Sequence, residues 1–346
     1  MATYKQNVGT SVVNYAGNYP GALEGELWYD STNKDFKYQY PNVTAAGSWR
    51  TGNDLNTARQ TGAGSGIQTA ALYFAGKTAP TTRVANTEQY DGTSWTEVND
   101  INTARQQLGG SGTQTSSLAY GGFIPPDSAA TELWNGTNWT EVNDLNDTRR
   151  MGAGLGADST SALAFGGYTT AVVAVTELYN GTNWTEVNDL NSARTSLGGA
   201  GITTAGIAFG GTEDPPRSGA TELWNGTNWT EVNNLNTARD DLAGSGKGTT
   251  TAALAFGGLS PPGGYTAVTE LWNGTNWAEQ NDLSTARNVL SGAGTSTAGL
   301  AFGGETPPKT AATEEWTGAG AAVGAWSTGG DMNTAKKQTA GAGESS

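Results

Sequence analysis

The stretch TELWNGTNWTEVNDLN, residues 131–146, recurs almost letter for letter along this chain of 346 residues. It reads as two short strands, TELW and WTEV, joined through Asn-Gly, a pair that favours a hairpin turn. An apolar run ending in two glycines precedes each copy, as in LAFGG at 254–258, and a glycine-rich segment such as 62–66 precedes that run. Small residues suit a strand that is crowded near a central axis. Each copy therefore predicts four consecutive antiparallel strands.

A tryptophan marks the period of this repeat, at intervals of 44 to 49 residues. Its positions are Trp49, Trp95, Trp139, Trp184, Trp229, Trp277 and Trp326. Ten residues after each of the first six stands an arginine, and Lys336 takes that place in the seventh. One four-stranded sheet cannot bury its own faces, so the units must stack, and a closed ring of blades also protects the sheet edges. We interpret these tryptophans as packing between blades rather than as a platform for sugars.

The order Gly-Gly, Glu-Leu-(Trp/Tyr), a Trp six residues after that Leu, and then an Arg resembles the kelch repeat over about residues 50–340. The resemblance implies an all-β fold, a kelch-type β-propeller with four antiparallel strands per blade. The rival WD40 repeat carries a Gly-His signature, and this chain has no histidine. The near-identical sequence of the repeats is also similar to that of kelch-like tail and fibre proteins of marine bacteriophages. This second resemblance implies a virion protein.

The ends of the chain decide how many blades close. Segments 12–17, 26–29 and Trp49 supply candidate second, third and fourth strands, and 338–343 repeats the opening of a first strand. Together they predict a seventh blade, with a six-bladed ring as the alternative. Residues 1–50 are then an N-terminal segment, either an attachment arm or part of the closing blade, and 51–346 the propeller. Within the first segment, 25–38 resembles a short hairpin found in phage fibre proteins.

Composition excludes several classes of function. The net charge of −14 disfavours nucleic acid and anionic membranes. The absence of cysteine and histidine removes disulfides, the usual zinc sites and Ser-His or Cys-His catalysis. No carboxylate pair stands out for glycoside hydrolysis, and residues 1–15 lack the apolar core of a signal peptide. We expect a protein that is not an enzyme, binds no cofactor or metal, and does not insert into membranes.

The loops between the second and third strands differ most among the copies: 77–86, 123–130, 168–175, 212–220, 259–268 and 305–312. We expect them on one face, beside the loops that carry the repeated arginines. A rigid scaffold with variable loops on one face is typical of binding proteins. The candidate ligand contacts in the variable loops are Arg83, Phe123, Tyr168, Arg217, Tyr265 and Lys309. The arginine ring adds Arg105, Arg149, Arg194, Arg239 and Arg287.

A structural role competes with each of these assignments. Each ring arginine follows an acidic or amide residue five positions earlier, such as Asp100 before Arg105, so pairing within the loop is the simpler interpretation. The alternative for the variable loops is that their sequences drift at the surface and that they bind no ligand. The repeated glutamates, such as Glu132 and Glu222, are expected to accept hydrogen bonds from turns or neighbouring blades.

These observations favour a tail fibre-like appendage of a virion that binds a glycan or protein of the bacterial surface. Residues 1–50 would contact other virion proteins, and assembly would take place in the host cytoplasm without secretion. Two alternatives stay open, a purely structural virion component and an intracellular kelch interaction module. Whether the protein is a homo-oligomer in the virion also stays open.

Overall fold

A computed structural model describes residues 13–15, 27–32, 35–38, 47–213 and 215–319. The chain divides into two compact units, one formed by Ala46–Ala319 and the other by Met1–Ala45 together with Gly320–Ser346. The regular elements of the described residues are all strands, which we number β1 to β29 in chain order. No helix in that part of the chain is long and apolar enough to span a membrane.

The larger unit is a β-propeller of six four-stranded antiparallel sheets, with the first strand of each nearest the central axis. The first two blades comprise β5 (Ala63–Ile67), β6 (Ala70–Phe74), β7 (Thr87–Tyr90) and β8 (Trp95–Val98), then β9 (Gly109–Gly112), β10 (Ser117–Tyr120), β11 (Thr131–Trp134) and β12 (Trp139–Val142). The third and fourth comprise β13 (Ala153–Asp158), β14 (Ser161–Phe165), β15 (Thr176–Tyr179) and β16 (Trp184–Val187), then β17 (Gly198–Ile202), β18 (Ala205–Phe209), β19 (Thr221–Trp224) and β20 (Trp229–Val232). This confirms the predicted fold class and the four-stranded repeat.

The fifth blade carries an extra hairpin. Its sheet comprises β21 (Ala243–Gly244), β22 (Ala253–Phe256), β25 (Thr269–Trp272) and β26 (Trp277–Glu279). Between its second and third strands, β23 (Leu259–Ser260) pairs with β24 (Gly264–Tyr265). The inner strand is the shortest of the six, because the chain leaves the sheet after Gly244.

The sixth blade closes the ring with a strand from the other end of the propeller. It comprises β27 (Ser291–Gly294), β28 (Ala298–Phe302), β29 (Thr313–Thr317) and, as its outer strand, β4 (Ser48–Thr51). Trp49 lies opposite Trp316 in this antiparallel pair. The favoured seven-bladed ring is therefore wrong and the six-bladed alternative is right. The strand that contains Trp49 is a fourth strand, as predicted. It completes a blade whose first three strands come from residues 291–317, rather than from the N-terminal segment.

The described strands of the smaller unit form a separate three-stranded sheet. It contains β1 (Val13–Tyr15), β2 (Leu27–Asp30) and β3 (Asp35–Tyr38), with β1 parallel to β2 and β2 antiparallel to β3. The hairpin expected within 25–38 is present, but the described parts of segments 12–17 and 26–29, residues 13–15 and 27–29, do not supply blade strands. The predictions for Trp326, Lys336 and 338–343 fall outside the described residues.

The repeated tryptophan packs between blades, as predicted. Trp139 of the second blade meets Phe74 of the first edge to face, with ring centroids 4.8 Å apart, and its Nε1 donates to Thr87 Oγ1 at 3.1 Å. The same donation recurs at every blade boundary, from Trp49, Trp95, Trp184, Trp229 and Trp277 to Thr269, Thr313, Thr131, Thr176 and Thr221. A Cβ on Gly110 would stand 2.7 Å from the Phe74 ring. The inner-strand glycine thus admits the neighbouring aromatic ring, which explains the small residues there.

Candidate functional site

The six variable loops and the loops that lead into each blade share one face of the propeller, which we call the variable-loop face. Phe123 donates a backbone hydrogen bond to Gln106 at 2.7 Å, which ties a variable loop to the loop that enters the same blade. The same pairing joins Lys77 to Gln60, Tyr168 to Arg150, Thr212 to Thr195, Leu259 to Asp240 and Glu305 to Asn288. These backbone pairs hold the variable loops in fixed positions.

The ring arginines lie beneath this face in buried ion pairs. Arg194 is 0% exposed and donates to Glu222 Oε1 at 2.7 Å, and also to the carbonyl oxygens of Gly210 and Ala220. Arg59, Arg105, Arg149, Arg239 and Arg287 pair in the same way with Glu88, Glu132, Glu177, Glu270 and Glu314. Burial lowers the pKa of Arg194 and the Glu222 carboxylate opposes that shift. The predicted contacts Arg105, Arg149, Arg194, Arg239 and Arg287 are therefore directed into the fold.

The partner predicted for these arginines is wrong. Asp100 accepts a hydrogen bond from the backbone N–H of Thr87 instead of pairing with Arg105. The second carboxylate oxygen of Glu132 accepts from the backbone N–H of Asn102, so each glutamate fixes the loop that enters its own blade. Glutamate is thus the turn acceptor that the sequence indicated, and in addition the counter-ion of the arginine. The pair and the loop form one rigid unit.

Six residues with left-handed backbone encircle the central axis on the variable-loop face. They are Thr61, Gln107, Met151, Ser196, Asp241 and Val289, with φ between 45° and 57°. Each donates its backbone N–H to the carbonyl oxygen of its counterpart in the preceding blade, at 2.7–3.1 Å, so the hydrogen bonds form a closed ring. Left-handed backbone is costly for residues other than glycine, above all for β-branched Thr61 and Val289. The closed ring holds six different side chains around one opening.

The ring forms the mouth of a channel along the axis. The mouth encloses about 110 Å³, and the channel behind it, lined by inner strands of all six blades, about 170 Å³. At the opposite end, Lys247 Nζ donates to the carbonyl oxygens of Gly156 and Ala157. Burial raises the pKa of Asp241, at the mouth, to about 6, with the neighbouring Asp240 adding to the shift. The channel opens toward the variable loops.

Three predicted contacts, Arg83, Phe123 and Tyr168, come together with Arg150. The Cζ atoms of Arg83 and Arg150 lie over the Phe123 ring, at 4.7 and 4.9 Å from its centroid. Arg150 Cζ also lies 4.8 Å from the centroid of Tyr168. We call this alternation of two arginines and two aromatic rings the cation–π ladder. It joins loops of three consecutive blades.

The other predicted contacts are dispersed over the face. Arg217 forms an ion pair with Asp240 at 2.6 Å. Lys309 reaches from the loop of the sixth blade toward Pro80 in that of the first, where Nζ lies 3.5 Å from the carbonyl oxygen. Tyr265 is 40% exposed in the extra hairpin of the fifth blade. These three residues share no contact with the ladder.

Sequence reasoning missed Arg150 and Asp241. The pair of residues after each ring arginine differs from copy to copy, although Gln60 and Gln106 are the same residue type: Gln60 and Thr61, Gln106 and Gln107, Arg150 and Met151, Thr195 and Ser196, Asp240 and Asp241, Asn288 and Val289. This variation beside a constant arginine was the available signal. Among the described residues, no group of three or more carboxylates gathers in a way that could hold a metal ion.

Compared with known proteins, the chain matches no protein-family model and no curated protein. The fold and the face together define a six-bladed β-propeller with variable loops around a central opening. This architecture is consistent with a binding module.

Proposed function

We propose that this protein is a non-enzymatic binding protein that presents its variable-loop face to a glycan or protein on a bacterial surface, as a tail fibre-like appendage of a virion. One observation carries the binding role. Copies that are nearly identical in the strands TELW and WTEV differ in the variable loops and in the ring around the channel mouth. The Asn-Gly-Thr-Asn turns of the opposite face, in contrast, stay the same in four blades.

The rigidity of the scaffold supports this role. Buried arginine–glutamate pairs, the closed ring of backbone hydrogen bonds and the tryptophan contacts hold the loops before any ligand arrives. A preorganised surface loses less conformational entropy on binding. The face therefore suits recognition without rearrangement.

The virion assignment depends on the resemblance of the repeat to kelch-like tail and fibre proteins of marine bacteriophages. Residues 1–50 then provide the attachment to other virion proteins. The hairpin formed by Leu27–Asp30 and Asp35–Tyr38 agrees with the second resemblance, to a hairpin of fibre proteins. Other virion proteins and the bacterial receptor are the proposed partners.

Binding of the purified, fluorescently labelled protein to candidate host cells tests the proposal. We expect saturable binding that is lost when the variable loops 123–130 and 168–175 are replaced together by Gly-Ser linkers of the same length. The matched control replaces exposed Thr140 and Thr185 of the outer strands by serine and should bind normally. A cryo-EM reconstruction of the particle that buried the variable-loop face against other subunits would instead establish a structural component.

A further inference from the structure

The cation–π ladder carries unbalanced positive charge in an acidic protein. Apart from the six ring arginines, the propeller residues that the structure describes include seven cationic side chains, and five lie on the variable-loop face: Lys77, Arg83, Arg150, Arg217 and Lys309. Arg150 pairs with Asp127 at 2.6 Å and Arg217 with Asp240. Arg83 forms no ion pair with any described residue, and its buried Nε has no hydrogen-bond acceptor there.

The aromatic rings of the ladder orient the arginines. Two guanidinium groups lie over Phe123 and one over Tyr168, and the ring faces that they cover do not serve as sugar platforms. A guanidinium stacked on a ring keeps its N–H groups at its edge, where they form paired hydrogen bonds to a carboxylate or phosphate. The rings therefore reduce the freedom of Arg83 and Arg150 while leaving their donors available.

We propose that the ladder is an anion site for a carboxylate or phosphate group of an acidic bacterial glycan, an inference that rests on the proposed function. Arg83 and Arg150 contact the same ring, and Asp127 is the one counter-ion paired with either of them in the described structure. A bound anion supplies the negative charge that Arg83 lacks.

The surroundings favour a glycan over an acidic protein. Protein interfaces centre on a buried apolar core. Of the large hydrophobic side chains exposed in the described structure, Tyr265 is the one on the variable-loop face, since Ile67 and Ile202 end inner strands on the opposite side. A polar face with two oriented arginines matches the polar, charged surface of an acidic polysaccharide.

Calorimetric titration of the full-length protein tests the site with four probes: an oligogalacturonate, a phosphorylated oligosaccharide, an acidic peptide and neutral maltohexaose. We expect an acidic probe to bind, more weakly at high salt, and maltohexaose not to bind. Binding by one acidic probe alone tells carboxylate from phosphate. Arg83→Gln should weaken binding at least about tenfold, because it removes a charged hydrogen bond. Phe123→Leu should weaken it as well, because it keeps both charges but removes the surface that orients them.

Arg50→Gln is the matched control, since Arg50 is 72% exposed on the outer strand of the sixth blade, which contributes no residue to the ladder. Unchanged thermal unfolding of Arg83→Gln shows that the variant is folded. Equal affinity of Arg83→Gln and Arg50→Gln, binding of an acidic peptide but no oligosaccharide, or equal binding of neutral and acidic probes overturns the anion site. Host-cell binding that survives Arg83→Gln likewise overturns this inference alone and leaves the proposed function standing. Oligosaccharide binding without host-cell binding overturns the proposed function and leaves the anion site standing.

Discussion

The Nζ atom of Lys247 lies 2.7 Å from the carbonyl oxygen of Gly156, to which it donates a hydrogen bond across the end of the channel opposite the variable loops. Lys247 belongs to the fifth blade and Gly156 to the third, so the contact spans the fourth. The backbone of the same segment bonds the remaining neighbours, through Gly201 to Gly246 and Lys247 to Gly294. The segment that interrupts the inner strand of the fifth blade therefore links four blades.

The amine of Lys247 should titrate far below the usual range for lysine. Burial lowers its pKa from 10.5 to about 8, and the Asp158 carboxylate opposes the shift. Carbon NMR of the reductively methylated protein should show one lysine that titrates near pH 8, and the signal should vanish in Lys247→Gln. The amine loses its proton near pH 8 in the folded protein but only near pH 10.5 in the unfolded chain. The free energy of unfolding of the protein should therefore rise between pH 8 and 10.5. Titration near 10.5 would mean that the channel end is open to water.

Neutralising Asp241 should stabilise the propeller at neutral pH. The pKa of Asp241 is raised from 3.8 to about 6, so its favourable contribution is complete below pH 3.8 and is lost as the pH rises through 6. Asp241→Asn should therefore exceed the wild type by about 1–3 kcal/mol at pH 7.5 and match it below pH 4. Urea unfolding at both pH values measures the difference. Glu231→Gln, exposed in the neighbouring blade, is the control and should change the free energy of unfolding by less than about 0.5 kcal/mol.

Removing one partner of a buried ion pair should strongly destabilise the propeller. Glu222→Ala leaves the buried Arg194 guanidinium without its counter-ion and releases the backbone N–H of Asn191. We expect a loss of about 3–5 kcal/mol in the free energy of unfolding. Glu231→Ala removes an exposed carboxylate from the adjacent strand and should cost less than about 0.5 kcal/mol. Equal effects of the two substitutions would contradict the structural role of the pair.

The hydrogen bond between tryptophan and threonine should contribute to blade packing. Thr176→Val keeps the shape of the side chain but removes the acceptor of Trp229 Nε1, which lies 3.1 Å from Thr176 Oγ1. A buried indole N–H without a partner costs about 1–3 kcal/mol. Thermal and urea unfolding should show this loss for Thr176→Val and little change for Thr185→Val, whose side chain is exposed. If Thr176→Val left the stability unchanged, the contacts between aromatic rings alone would account for the packing between these blades.

The candidate site was only partly predictable from the sequence. Variation among the copies located the loops and named Arg83, Phe123 and Tyr168. It did not show that Arg150 joins them, because Arg150 comes from the loop entering the third blade and contacts Phe123 of the second. Nor did it show the partner of Arg105, since Asp100 is nearer along the chain than Glu132 but is engaged by Thr87. Proximity along the chain misleads wherever a side chain crosses between strands.

The sequence by itself determined the repeating unit of this protein: its four strands, their order, and the tryptophan that packs between blades. These features follow from patterns within one period, where turn residues and the alternation of side chains act locally. Only the tertiary structure decided the number of blades, because closure requires Ser48–Thr51 to pair with Thr313–Thr317 at the far end of the repeats. It also decided the ladder, the ring around the channel mouth and the cross-link from Lys247. These depend on how far each blade turns about the axis, a quantity that no single repeat specifies.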